Sequence, residues 1–572
     1  MPSLRASPLF ALTLALLVGP VIAAAAENQV AKLLSVTLKP AEEINLWPGT
    51  APGETGNLGP EHVLPDRPRP FDQITNVSVP TLAVFHPPAE KRTRTAMLVV
   101  PGGGLERLAI EHEGFEMAEW LNEQGLTAFV LKYRVPPRDR EQRWKVGLQD
   151  AQRAMGLIRA RADAWQVDRD SIGTIGFSAG AEINVMLSVY HAEARQYPRV
   201  DAADDLSTRP DFTIAMYGGG FANARANTLR EDIASRINAT TPPMFVGHAF
   251  DDAALTSIIL MNALKRANVA SELHIFAAGA HGFGARDTGL PIAPWRDLCL
   301  GWLRWQGFLD TPAVRTFARD FASAREHAGV TPRFTAAAPA ADLAQAYVAQ
   351  RRIVRHAIAG GAEIAGYKGA FTTVATQAAF HVPQPAHAVL FKTGKIDAAN
   401  TPTALSPKRP VLVETEIGYV IATDIATKLR VPRQALTTIE AIVPVIELPF
   451  APVSSGSDAA PVDARDAVAS NIGSNQFIVG AALPPKTIEN LDALAVSLQR
   501  DGATLHRTQG GDVAGGQAQI LMTLINQIVE QGHVIHRGDI IISGALGGAK
   551  PGEKGNYTAD FGPLGTIAFK ID

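Results

Sequence analysis

Ser178 stands in Gly176-Phe177-Ser178-Ala179-Gly180, directly after the apolar run Ile172–Ile175 and ahead of a helical pattern that starts at Ala181. A serine in a tight strand-to-helix turn needs small neighbours. The turn lifts the hydroxyl clear of the sheet and aims helix amides at the reacting oxygen. Such a serine still needs a base. His281 lies in Ala280-His281-Gly282-Phe283-Gly284, and the earlier run Met244–Gly247 leads into His248-Ala249-Phe250-Asp251-Asp252. A carboxylate there can orient the imidazole and stabilise its charged form. Asp252 is the preferred candidate and Asp251 the alternative. The order serine, aspartate, histidine is the one in which a parallel α/β sheet delivers these groups. Pro101-Gly102-Gly103-Gly104 follows another apolar run, so the amides of Gly103 and Gly104, with that of Ala179, are candidates for an oxyanion hole. A phosphate-binding loop is excluded, because Leu105-Glu106-Arg107 lacks the Lys-Ser/Thr helix start such a loop requires. The chemistry these residues suit is acyl transfer from an ester, with no cofactor.

A second constellation lies downstream. In Val411–Val420, Glu414 and Glu416 are two apart and leave the same face of a strand, and Glu447 ends the next apolar strand. Carboxylates on strands with apolar faces are costly when unpaired, and a bound cation relieves that cost. Three carboxylates plus water suit Mg²⁺ or Mn²⁺, and the absence of Cys or paired His in this segment disfavours zinc. A solvated acidic face is the alternative the spacing leaves open.

The elements that must position these groups differ between the two halves. From Thr95 to Leu309, short apolar runs (Thr95–Val100, Leu126–Tyr133, Ser171–Phe177, Phe212–Tyr217, Met244–Gly247, Leu273–Ala278) alternate with amphipathic helical patterns at Val146–Val167 and Thr256–Val269. This alternation predicts a parallel sheet covered by helices. The stretch 311–341, with Thr331-Pro332-Arg333 and Ala336–Ala341, reads as a linker. Beyond it, Pro410–Ile421, Ala441–Leu448, Gly538–Ser543 and Gly565–Ile571 read as strands of a β-rich α+β unit. The expected organisation is a signal peptide at 1–26, a first domain at 27–310, the linker at 311–341, and a second domain at 342–572.

The 572 residues are too many for one core at ~150 residues per domain. A net charge of −3 provides no basic field, so nucleic acid is not an expected partner. The single cysteine, Cys299, rules out an internal disulfide and reads as a buried thiol. Arg5, the apolar Leu9–Val21 and the small residues Ala23–Ala26 predict a cleaved secretory signal. The mature protein is then secreted or periplasmic and leaves the membrane; the Gly19-Pro20 break argues against a retained anchor. The sequence leaves a homo-oligomer open.

Two resemblances add to this. Asn45-Leu46-Trp47-Pro48-Gly49, Ile74-Thr75-Asn76-Val77, Val100–Gly104, Glu113-Gly114, Val130–Arg134, Asp150-Ala151-Gln152-Arg153-Ala154 and Ile175–Gly180 resemble the secreted acetylxylan-esterase-like α/β-hydrolases over about residues 40–310. The resemblance implies deacylation of carbohydrate or other small esters. Ala181-Glu182 departs from the Gly-His usual there, so the acyl or alcohol pocket differs. Gly366-Tyr367-Lys368, Val413–Glu416, Pro444–Leu448, Ala469-Ser470-Asn471 and Ile542-Ser543-Gly544 resemble the 2-keto-4-pentenoate hydratases of the fumarylacetoacetate-hydrolase superfamily over roughly 340–572. That resemblance implies a cation on Glu414, Glu416 and Glu447, a catalytic Lys368 beside the substrate, and Lewis-acid chemistry on a 2-keto acid. The pocket loop departs, reading Pro385-Ala386-His387-Ala388 where the hydratases carry an acid, and His387 is the available substitute.

Overall fold

The computed structural model describes residues 39–64, 72–193, 195–327, 330–398, 404–451 and 462–572; the signal-like run at 1–26 lies outside them. The chain divides into two compact units, one ending at Trp302 and the other starting at Leu303. Among the described residues no helix is long and apolar enough to cross a membrane.

The first unit is an α/β-hydrolase sheet. Its strands are β1 (Glu42–Asn45), β2 (Thr81–Phe85), β3 (Ala96–Val100), β4 (Thr127–Lys132), β5 (Ile172–Phe177), β6 (Thr213–Met216), β7 (Met244–Ala249) and β8 (Glu272–Phe276). They lie in the order β1-β2-β4-β3-β5-β6-β7-β8. β1 and β2 run antiparallel to their neighbours, and every later pair is parallel. β3 and β5 are buried along their whole length, as strands covered on both faces must be. Helices α1 (Glu116–Glu123), α2 (Lys145–Ala160), α3 (Ala179–Val189) and α4 (Leu255–Arg266) connect them, and α5 (Trp295–Trp305) comes after β8. Several motif residues outside the site turn out to be buttresses. Arg134 and Asp150 form a buried ion pair at 2.9 Å, and the Trp47 indole N–H donates to the same carboxylate at 2.9 Å. Each buried charge is thereby matched.

In the second unit, α7 (Leu343–Ala359) and α8 (Gln517–Glu530) accompany two sheets. The larger contains β9 (Ile364–Ala370), β10 (Ala386–Phe391), β11 (Lys395–Asp397), β12 (Leu412–Ile421), β13 (Ile439–Leu448), β14 (Gln476–Val479), β17 (Ile540–Ile542) and β18 (Leu546–Pro551). Its order is β10-β9-β17-β12-β13-β14-β11, with β18 also pairing β12. The smaller sheet runs β16-β15-β19-β20, from Ala503–Gln509, Ala495–Arg500, Gly555–Asp560 and Thr566–Ile571. The side chains of β12, β13, α8 and both sheets merge into one apolar core.

The linker expected at 311–341 is corrected by the structure. Thr311 caps a helix, α6 (Pro312–Glu326), by accepting from the Val314 amide, and Pro312 occupies its first turn. Val314, Phe317 and Phe321 recur at helical spacing and are buried with Phe334, Ala346, Ala349 and Ile353. The Phe317 and Phe334 rings meet edge to face at 5.2 Å. Alanine- and proline-rich composition hid three phenylalanines that pack into one cluster, and this segment belongs to the second unit's core. Phe317→Ala is therefore expected to lower the stability of that unit by about 3 kcal/mol, read by urea unfolding of the full chain. A change below ~1 kcal/mol would return the segment to the status of a linker.

Candidate functional site

At the C-terminal edge of β5 the chain reverses sharply into α3, and Ser178 sits at the reversal with φ 51° and ψ −116°. A side-chain-bearing residue adopts this region only under constraint. The constraint is packing. A Cβ on Gly180 would collide with the Val100 carbonyl, and one on Gly176 with the Gly180 carbonyl. Ser178 Oγ lies 2.8 Å from His281 Nε2, and His281 Nδ1 lies 2.7 Å from Asp252 Oδ2. Asp252 Oδ2 also lies 3.1 Å from Nε2 of buried His248, whose Nδ1 meets Ser257 Oγ at 2.8 Å. Burial works against the charge on Asp252, but the His281 hydrogen bond and the Ala253 amide outweigh it and hold its pKa below the usual carboxylate range. Asp251 does something else. Its Oδ1 accepts from the amides of Gly279 at 3.1 Å and Ala280 at 3.0 Å, shaping the loop that presents His281.

The glycine loop after β3 is fixed from below. Buried Glu113 accepts the Gly102 amide at 2.7 Å on one oxygen and the Tyr217 hydroxyl at 2.9 Å on the other. That hydroxyl accepts the Gly284 amide at 3.0 Å, and the Tyr217 ring stands edge-on to His281 at 5.0 Å between centroids. With the Gly102 amide taken, Gly103 and Gly104 follow at positive φ. Among the described residues, neither their amides nor that of Ala179 donates to a protein acceptor. The Glu182 side chain turns to Arg230, which also holds Asp232. Burial raises the Glu182 pKa, and Arg230 opposes that rise.

In the second unit, β12 and β13 pair antiparallel with Glu414 opposite Glu447, and Glu416 is two residues along on the same face as Glu414. The three glutamates each offer an oxygen within 4.8 Å of the others. Glu416 and Glu447 are fully buried, whereas Glu414 faces a cavity of about 580 Å³. Lys368, from β9, places Nζ 2.5 Å from Glu447 Oε2 and donates to the Ile472 carbonyl at 3.3 Å. Burial opposes the Lys368 charge, but the glutamates, Glu447 foremost, more than offset it and raise its pKa. One ammonium does not satisfy three acids. Burial pushes Glu414 up to about 7, and burial with the charges of Glu447 and Glu414 pushes Glu416 well above its ordinary value. Glu416 Oε2 accepts the Gly544 amide at 2.6 Å, while its Oε1 is buried without a hydrogen-bond partner. An all-oxygen, acid-rich cluster with an unsatisfied buried oxygen fits a hard divalent cation.

Sequence reasoning singled out Glu113 only as part of a motif and missed the roles of Tyr217 and His248. Their signal was a buried polar group between loops, which one-dimensional spacing does not reveal. His387 does not replace the pocket acid. It lies on β10 rather than in a loop, is buried against Tyr347 at 5.1 Å between rings, and does not line the cavity. Burial, with His533 and Arg351 nearby, drives its pKa down to about 3.

Comparison with known proteins divides along the same boundary. Residues 82–219 match the BD-FAE family. An acetylxylan esterase of Xylanibacter ruminicola is 27% identical over 206 residues, 34% of this chain and 42% of that protein, so the chain spans under half of this relative. The second half is similar to 2-keto-4-pentenoate hydratase 1 of Dechloromonas aromatica, 28% identical over 228 residues, 38% of this chain and 83% of that protein. Among solved structures, 4-oxalocrotonate decarboxylase from Pseudomonas putida G7, complexed with magnesium and adipate, is 23% identical with a TM-score of 0.42, covering 45% of this chain and 97% of that one.

The acid cluster generates a thermal prediction. Glu414 has a folded-state pKa near 7 against an ordinary 4.5, so the metal-free native state holds a proton that the unfolded chain releases. Metal-free stability is therefore expected to be greatest below pH 4.5 as far as this group is concerned, and to fall as pH rises through about 7. A cation that replaces the proton should raise the second unit's Tm more at pH 8 than at pH 5. Calorimetry with Mg²⁺ or Mn²⁺ against EDTA reads this, and Glu414→Gln, Glu416→Gln and Glu447→Gln should each blunt the shift. A wild-type Tm indifferent to both ions and to EDTA would remove the site.

Proposed function

We propose that this chain is an exported two-unit enzyme. Its first unit hydrolyses acetyl or other small acyl esters of carbohydrate, and its second acts as a metal-dependent hydratase or lyase on a 2-keto acid. The carrying observation for the first activity is the continuous hydrogen-bonded series Ser178, His281, Asp252. In this reading Ser178 Oγ attacks the ester carbonyl carbon while His281 Nε2 takes its proton, and Asp252 stabilises the resulting imidazolium. The amides of Gly103, Gly104 and Ala179 receive the oxyanion. Collapse transfers the proton from His281 to the leaving alcohol and leaves an acyl-serine. Water, deprotonated by His281, then releases the acid and restores Ser178. This unit needs no cofactor. The signal-like run at the N-terminus supports export.

In the second unit, Glu414, Glu416 and Glu447 would hold Mg²⁺ or Mn²⁺, which supplies Lewis-acid polarisation of the keto acid. Lys368, raised in pKa and beside Glu447, offers a positive charge and a proton to an enolate oxygen. A second reading, decarboxylation or another C–C cleavage, draws on a specific observation. Hydration needs a group that handles water at the cavity, and His387, the available substitute for the hydratases' pocket acid, lies on β10 and does not line the cavity. Enolate stabilisation alone suffices for decarboxylation.

Ser178→Ala is expected to lower p-nitrophenyl acetate turnover by about 10³-fold or more while the fold persists. Asp252→Asn should approach that loss, and Asp251→Asn should fall well short of it, because Asp251 supports a loop rather than the imidazole. The reverse ranking would transfer the role to Asp251. For the second unit, a 2-keto acid screen with Mn²⁺ distinguishes water addition from CO₂ release. Turnover of neither kind makes it a binding or dimerisation module.

A further inference from the structure

Asp252 meets two imidazoles on one oxygen. Its Oδ2 lies 2.7 Å from His281 Nδ1 and 3.1 Å from His248 Nε2. His281 sits on an exposed loop, whereas His248 is the penultimate residue of β7 and fully buried. The hydrogens around His248 follow from counting donors and acceptors. Burial lowers the His248 pKa, so the ring is neutral and carries one N–H. Burial of Asp252 is outweighed by the His281 hydrogen bond and the Ala253 amide, so its carboxylate is ionised and only accepts. A bare nitrogen lone pair facing that oxygen would be repelled, so the hydrogen is on Nε2 and is donated to Asp252. Nδ1 is then an acceptor. The hydroxyl of Ser257, fully buried in α4 and 2.8 Å away, donates to it. The bonds run in one sense from Ser257 through His248 to Asp252, where they meet the bond from His281. The other ionisable groups nearby are Asp251, on the Gly279 and Ala280 amides, and Glu113, behind the Tyr217 ring.

We propose that His248 is a positioning residue for ester hydrolysis: its Nε2–H pins Asp252 Oδ2 against His281 and draws off part of the carboxylate charge, with Ser257 fixing the tautomer this requires. This deepens the esterase reading of the first unit and rests on it. His248 acts only through Asp252 and gives up no proton. A carboxylate shared between two donors holds the His281 proton less tightly than one that faces His281 alone. His248 thereby sets the pH above which His281 is free to act as a base.

The test follows kcat/KM for p-nitrophenyl acetate against pH in the full chain. His248→Phe keeps a ring and removes the donor, so the acid limb, where His281 must lose its proton, should move up by about 0.5 pH unit or more. The limb is read within a single variant, so a loss of folded protein does not imitate the result. His248→Gln offers an amide N–H where Nε2 stood and should return the limb to its wild-type position. Ser257→Ala, which frees the tautomer, should place it between the two. A limb that stays put or moves down in His248→Phe, or that moves equally in His248→Gln, overturns the role of His248 and leaves the esterase reading standing. If His248→Phe does not fold, Ser257→Ala decides, and a wild-type limb there overturns the proposal. Should Ser178→Ala turn over as well as wild type, the esterase reading falls and His248 with it.

Discussion

Glu113 buries a carboxyl group that accepts the Gly102 amide from the loop after β3 on one oxygen and the Tyr217 hydroxyl, just past β6, on the other. Leaving either oxygen bare in that interior would cost on the order of 1–3 kcal/mol, so the two loops are held in one relative position. The same Tyr217 hydroxyl seats Gly284, and its ring backs His281. Ser178 is held from the other side by steric exclusion at Gly176 and Gly180. A polar clamp and a packing constraint thus converge on one small volume at the end of the parallel sheet.

The second unit poses the opposite electrostatic problem. Where Glu113 is satisfied by neutral donors, the β12–β13 pair sets three carboxylates against one lysine, in strands whose other side chains form the core. Cross-strand register makes the arrangement obligatory, since shifting β13 by one residue would turn Glu447 to the opposite face and break the packing of Ile446 and Leu448. The cluster is written into the sheet and is not a surface accident.

The six strands read from the first half correspond to observed strands within about two residues at most ends, because buried parallel strands are continuous apolar runs with abrupt polar limits. The strands carrying the glutamates were legible for a similar reason: a two-residue period survives in any sequence that buries one face. The meeting of Ser178, Asp252 and His281 was legible because each follows such a run, and so sits where a strand must stop. What escaped were contacts that periodicity does not encode. Glu113 and Tyr217 are 104 residues apart and meet only in three dimensions. Helix α6 was taken for a linker because its alanines and arginines dilute the phenylalanines, although Val314, Phe317 and Phe321 keep a helical stripe. His387 was assigned to a loop whereas β10 carries it inward to Tyr347.

Helix α6 precedes every strand of the second unit, yet it lends Phe321 and Arg325 to the wall of the cavity whose floor is built by β9 and β12. The wall and the floor are therefore specified by stretches of gene well separated from one another. Substitutions at Phe321 or Arg325 change the wall without touching the strand register that sets the acid cluster, and substitutions in the sheet alter the acid cluster without changing α6. Recombination that exchanged only this leading helix would bring a new wall to an old acid cluster, so the two are free to drift at different evolutionary rates.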